Sequence, residues 1–130
     1  MEDLSNDDNL TEEGVIRADA FSVWRGGYEC WKCKKLSNVY AIGISDEDLL
    51  MSVSLLSPQC TDALKSISEI YFPDKSAMAN QSYYMNHCER CGVKLGDWFL
   101  HAEPDGCFFP GNERTKIATH NIPLEAQAGL

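Results

Sequence analysis

Two short cysteine pairs, Cys30-Trp31-Lys32-Cys33 and Cys88-Glu89-Arg90-Cys91, carry the residue types and spacing best suited to chemistry in this chain of 130 residues. Two residues between cysteines let a tight turn aim both sulfurs at one point. Two such turns complete the tetrahedral shell that zinc takes from thiolates at about 2.3 Å. The expected site is therefore one structural Zn2+ held by Cys30, Cys33, Cys88 and Cys91. Iron in the same cage, as in rubredoxin, has the same ligands and is not separated from zinc by sequence. Neither pair opens a helix within a β-α-β pattern, which disfavours a thioredoxin-like redox couple.

The short form of this pattern leaves about 15 to 20 residues between its pairs, whereas residues 34–87 intervene here. Loop-closure entropy grows only logarithmically, so the longer connection costs roughly 1 kcal/mol. A structural zinc contributes on the order of 10 kcal/mol or more, so the insertion does not veto the site. Gly92, just after the second pair, can take the left-handed conformation that turns backbone amides toward sulfur. Lys34 stands in the equivalent position of the first pair without that freedom. Cys60 and Cys107 have no neighbouring partner and read as small buried hydrophobes. His87 should point away from Cys88 in an extended segment, and His101 and His120 lack a suitably spaced acid or nucleophile.

The elements that must position these sulfurs read as follows. An apolar segment begins near Val15 and reaches Trp24, Arg25-Gly26-Gly27 signals a turn, and residues 38–44 are rich in β-formers. Ser45-Asp46-Glu47-Asp48 places a cap and three acids before Leu49, which suits a short helix, although Ser52-Val53-Ser54-Leu55 also suits a strand. Ser57-Pro58 starts a second helix, expected to run until Pro73 stops it. Asp74 to Gln81 reads as a polar turn, Tyr83-Tyr84-Met85 as a strand entering the second knuckle, and Trp98 to His101 as another strand. The fold class expected is α+β: a small β-rich zinc ribbon over residues 15–120 with a partly helical insertion over 34–87. An acidic flexible tail is expected over residues 1–14 and a loose end over 121–130.

Composition bounds the function. Hydrophobic residues make up 44% and charged residues 24%, as in globular chains with a modest core. Of the 20 acids, Glu2, Asp3, Asp7, Asp8, Glu12 and Glu13 fall in the first thirteen positions, leaving fourteen acids against eleven bases and a formal charge of -9 overall. That balance disfavours a phosphate backbone as partner. No stretch approaches the roughly 20 apolar residues that span a bilayer, and no basic-then-apolar leader opens the chain, so a cytoplasmic location is expected.

The blocks Tyr28-Glu29-Cys30-Trp31-Lys32-Cys33, Asn86-His87-Cys88-Glu89-Arg90-Cys91-Gly92 and Gly96-Asp97-Trp98-Phe99-Leu100 resemble a group of poorly characterised bacterial zinc-ribbon proteins. The resemblance implies a β-ribbon with four Cys ligands, with Trp31, Trp98 and Phe99 packed beside the metal as scaffold. It implies no activity, and no nucleophile elbow, H-E-x-x-H or phosphate-cradling loop is present. Two functions remain. One is a non-catalytic, zinc-stabilised protein-interaction module whose acid excess suits a basic partner, as an immunity protein or antitoxin would. The other is a zinc-ribbon nucleic-acid-binding or transcription accessory protein, because Arg25, Lys32, Lys34, Lys35, Arg90 and Lys94 gather in sequence around the knuckles with Trp24, Trp31 and Trp98.

Overall fold

The computed structural model describes residues 14–76 and 81–129. Apart from Gly14, the expected acidic tail lies outside the described residues, as do positions 77–80 of the expected polar turn.

Strands dominate because the chain alternates apolar and polar residues over most of its length. They are β1 (Val15–Ala18), β2 (Phe21–Glu29), β3 (Leu36–Gly43), β4 (Met51–Leu56), β5 (Phe72–Ser76), β6 (Gln81–His87), β7 (Lys94–Leu95), β8 (Thr115–His120) and β9 (Leu124–Gly129). Among the described residues the helical elements are α1 (Pro58–Lys65) and a π-helical turn, Trp98–Ala102. The strands form three antiparallel sheets ordered β1-β9-β4, β3-β2-β8 and β5-β6-β7.

Several local expectations are corrected. Among the described residues the insertion over 34–87 holds four strands and only α1 as helix, which ends at Lys65 with Ser66 bonding back to Ala63. The hydroxyl of Ser45 does accept the N–H groups of Glu47 and Asp48, but it closes an isolated turn. The alternating Ser52-Val53-Ser54 segment then enters β4 rather than a helix. Arg25-Gly26-Gly27 is not a turn but the middle of β2, where a Cβ on Gly26 would lie 2.3 Å from the Cys107 sulfur, so the glycine admits a packed side chain. Phe72 to Ser76 form β5 instead of a polar turn, and Pro73 is tolerated because β5 is an edge strand. Trp98 to His101 coil into the π turn rather than a strand, burying Leu100 and His101 and leaving Trp98 and Phe99 outside.

The largest correction concerns residues 121–130, expected to be loose. They contain β9, the central strand of its sheet, which sends Leu124 and Ala126 into the core. Its two alanines, Glu125 and Gly129 are weak strand formers, and burial between two neighbours overrides that weakness.

Two cores lie on opposite faces of the β3-β2-β8 sheet, since neighbouring strand residues point oppositely. Phe21, Val23 and Ile42 face a core shared with Leu50, Val53, Leu64, Tyr84 and Leu124. Trp24, Val39 and Ala41 face a second core with Leu95, Leu100 and Phe108, and Cys30 and Cys88 belong to this one. No helix of the described residues is long and apolar enough to cross a membrane.

Candidate metal centre

Each cysteine pair sits at the tip of a hairpin. The first knuckle joins β2 to β3 and the second joins β6 to β7. Their backbones are the same structure written twice. Cys30 N–H donates to Lys35 O at 2.9 Å and Lys34 N–H to Cys30 O at 2.9 Å, while Cys88 N–H donates to Val93 O at 2.8 Å and Gly92 N–H to Cys88 O at 2.8 Å. Both turns need a left-handed residue after the second cysteine. Gly92 supplies it with φ 82°, and Lys34 adopts it as well with φ 64°, despite its side chain. The expected asymmetry is therefore one of energy and not of shape.

The four sulfurs lie within 4.8 Å of one another, so the chain brings together every sequence-selected ligand: Cys30, Cys33, Cys88 and Cys91. Two short approaches run between knuckles, Cys30 to Cys91 at 3.6 Å and Cys33 to Cys88 at 3.7 Å. A tetrahedron with metal–sulfur bonds of about 2.3 Å has edges of about 3.8 Å, so the spacing fits a thiophilic dication of zinc's size. Amide N–H groups already point at the sulfurs: Lys32 and Cys33 at Cys30, 3.4 and 3.5 Å, and Arg90 at Cys88, 3.4 Å.

Four sulfurs this close compete for charge. Burial raises the Cys30 thiol, but the Cys33 and Lys32 amides and the Cys91 sulfur outweigh it and leave it below its usual value. At Cys88 burial again opposes ionisation, and the Cys91 and Arg90 amides with the Cys33 and Cys91 sulfurs bring it down to about 6. The Val93 amide favours Cys91 ionisation, but burial and the other three sulfurs push it up to about 11. One sulfur ionises early and another resists, the conflict that a bound dication removes by stabilising all four thiolates.

Sequence reasoning did not single out the group that holds the knuckles together. Asn86 is fully buried, and its carboxamide accepts Tyr40 N–H at 2.7 Å and donates to Tyr40 O at 2.9 Å, as a neighbouring strand's backbone would. The tie continues toward the sulfurs. Glu89 N–H donates to Ser37 Oγ, Asn38 N–H to the Glu89 carboxylate and Arg90 Nε to Leu36 O. Side chains thus dock the β6 end onto β3 without a backbone ladder. An asparagine before a knuckle is the only signal, and it becomes readable once the strand pairing is known.

The aromatic residues expected as scaffold are exposed instead: Trp31 57%, Trp98 53% and Phe99 41%. Trp31 is nonetheless fixed, because its indole N–H donates to Lys94 O, across from one knuckle to the other. His87 is not a ligand; its ring bonds Ile70 O and Asp74 and stacks on Phe72 at 3.9 Å. Cys60 is buried, accepting the Ser57 hydroxyl and donating to Pro123 O, and Cys107 is buried with its thiol pushed up to about 11 by desolvation. His101 is held down to about 4 by burial and the Arg114 charge, and His120 stacks on Phe21. Two surface depressions of about 320 and 360 Å³, beside Arg17 and Asp19 and beside Arg25 and Arg114, do not include the sulfurs. Comparison with protein-family models, with curated proteins and with solved structures returns no match.

Proposed function

We propose that the chain is a non-catalytic interaction module, folded around one structural zinc ion, that binds a basic protein. The observation that carries this reading is the convergence of four cysteine sulfurs from two distant hairpins. Four thiolates fill zinc's coordination shell and leave no position for water or substrate, so the ion's contribution is stability and shape. Charge supports the partner. Away from the knuckles the exposed acids Asp19, Glu47, Asp48, Asp62, Glu69, Glu103, Asp105 and Glu113 outnumber the bases, giving a field that draws a cationic surface.

Two measurements test the reading. Elemental analysis of the purified protein is expected to give one zinc per chain; iron in its place, or no metal, overturns the ion. A basic partner captured by the zinc-loaded chain should form a stoichiometric complex that weakens with salt and with neutralisation of Glu47, Asp62 and Glu69. Binding indifferent to both overturns the electrostatic part.

A second reading, nucleic-acid binding at the knuckles, is favoured by one observation: the fixed, half-exposed Trp31 amid exposed Lys32, Lys34 and Lys35. Aromatic faces flanked by cations stack on single-stranded bases. Titration of a labelled oligonucleotide at low salt checks it, with micromolar affinity and a steep salt slope expected.

A further inference from the structure

Two tryptophans stand out from the surface in opposite electrostatic settings. Trp31 lies among exposed Lys32, Lys34 and Lys35, where a further cation is repelled. Trp98, 53% exposed, opens the π turn, and from Leu95 to Glu113 the chain carries no Lys or Arg. Burial and the Arg114 charge keep His101 neutral, so the exposed charges of this stretch are the carboxylates of Glu103, Asp105 and Glu113. Among the described residues none of the three forms an ion pair. Arg114, next in the chain, is turned to the Trp24 ring and the Asp46 carbonyl.

The carboxylates of Glu103 and Asp105 sit on a fixed frame. At one end the buried Asp97 carboxyl accepts Ser52 N–H at 2.8 Å and its own N–H donates to the Tyr83 hydroxyl, which anchors the π turn to β4 and β6. At the other, Gly106 N–H donates to Glu103 O at 2.8 Å and closes a turn over residues 103–106. The Asn112 carboxamide donates to Pro104 O and Gly106 O, both at 2.8 Å. This turn packs against the π turn, because a Cβ on Gly106 would lie 2.3 Å from Leu100 O. Groups already fixed in this way lose little freedom on binding.

Trp98 and Glu103 are joined as well as adjacent. The indole N–H donates to Glu103 Oε2 at 3.2 Å, which holds a carboxylate at the edge of the ring and leaves its other oxygen free. Among the described residues no aromatic ring or cation stacks on Trp98. A guanidinium uses both features at once, its plane on an indole face and its N–H fork on a carboxylate, whereas an ammonium offers a point charge. We propose that the basic partner docks on this face, with one of its arginines stacked on Trp98 and paired with Glu103. Asp105 takes a neighbouring cation, and the exposed Phe99 meets an apolar side chain beside it. The inference rests on the basic-partner reading above and does not depend on the ion. Glu47, Asp62 and Glu69, on other segments of the chain, then steer the encounter.

The test uses the purified full chain with an octa-arginine peptide at low salt, and octalysine beside it. In amide and indole spectra octa-arginine is expected to shift Trp98, Phe99, Glu103 and Asp105 most, and octalysine to bind more weakly. Trp98→Ala, and separately Glu103→Gln combined with Asp105→Asn, should each weaken octa-arginine roughly threefold to fivefold. Trp98→Phe, which restores a ring, should recover part of that loss. The replaced side chains are all exposed, and unchanged spectra outside residues 97–109 establish that each variant is folded. Full affinity in Trp98→Ala, or shifts centred on Glu47, Asp62 and Glu69, overturns this location and leaves the basic-partner reading standing. Equal affinity for octalysine overturns the assignment of arginine. Absence of salt-dependent binding to either peptide overturns both the location and the reading it rests on.

Discussion

The two knuckles share one backbone turn but stand on unequal supports. The first closes the long β2–β3 hairpin, paired from Ser22↔Gly43 to Glu29↔Leu36. The second closes a hairpin with only two paired positions, Asn86↔Leu95 and His87↔Lys94. The same turn can thus be held by a ladder or by side chains. The second knuckle has the optimal residue in its turn, Gly92, and the weaker platform beneath it. The first has the costly residue, Lys34, and the stronger platform.

The comparison breaks most sharply on metal removal. Chelation, or Cys88→Ser, is expected to forfeit stability on the order of 10 kcal/mol and unfold the knuckle end. Hydrogen exchange should show the amides of Cys88 to Leu95 opening before those of Cys30 to Leu36. Equal opening of both hairpins would show that the platforms do not differ.

The next effect concerns the flank of the second knuckle, where desolvation raises the buried Asp97 carboxyl to about 7 against the Ser52 N–H that favours its charge. A raised folded-state value favours the protonated form. Stability from this group is therefore complete below about pH 4, is lost as pH rises toward 7 and is flat above, a span of up to about 4 kcal/mol. Asp97→Asn should match the parent near pH 4 and exceed it at pH 8 in denaturant unfolding. The difference between the two proteins isolates this group from acid loss of metal.

Asn86→Ala is expected to cost about 3 kcal/mol, because it leaves the N–H and C=O of Tyr40 without their buried partner. If the side-chain tie is what supports the second knuckle, the variant should also bind zinc more weakly in competition with a chelator. The smallest effect compares the turns themselves. Lys34→Gly removes a left-handed penalty and should gain up to about 1 kcal/mol, whereas Gly92→Ala should lose about as much, each seen as a shift of a few degrees in Tm.

The sulfurs were legible in the sequence because metal chemistry fixes both residue type and spacing, and no tertiary knowledge is needed to read C-x-x-C twice. The strands β3 and β6 were legible from β-branched and aromatic runs. The strands β5 and β9 were not: Pro73 argues against β5, and the alanines of β9 argue for nothing, so both exist through pairing that only the assembled sheets supply. Gly26-Gly27 misled in the opposite direction, since glycines that make room for Cys107 look like glycines that turn a chain. Asn86 was invisible because its partner, the Tyr40 backbone, has no sequence signature. The exposure of Trp31 was missed because a tryptophan beside a ligand suggests packing, while here only its N–H is engaged.

The central place of β9 bears on how the chain is made. Val15 pairs with Gln127, so the first sheet cannot close until the ribosome has released nearly everything between them. Contacts of such long sequence separation slow folding. The β2–β3 hairpin, local and early, can form during synthesis, leaving its cysteines to wait for a partner hairpin that emerges later.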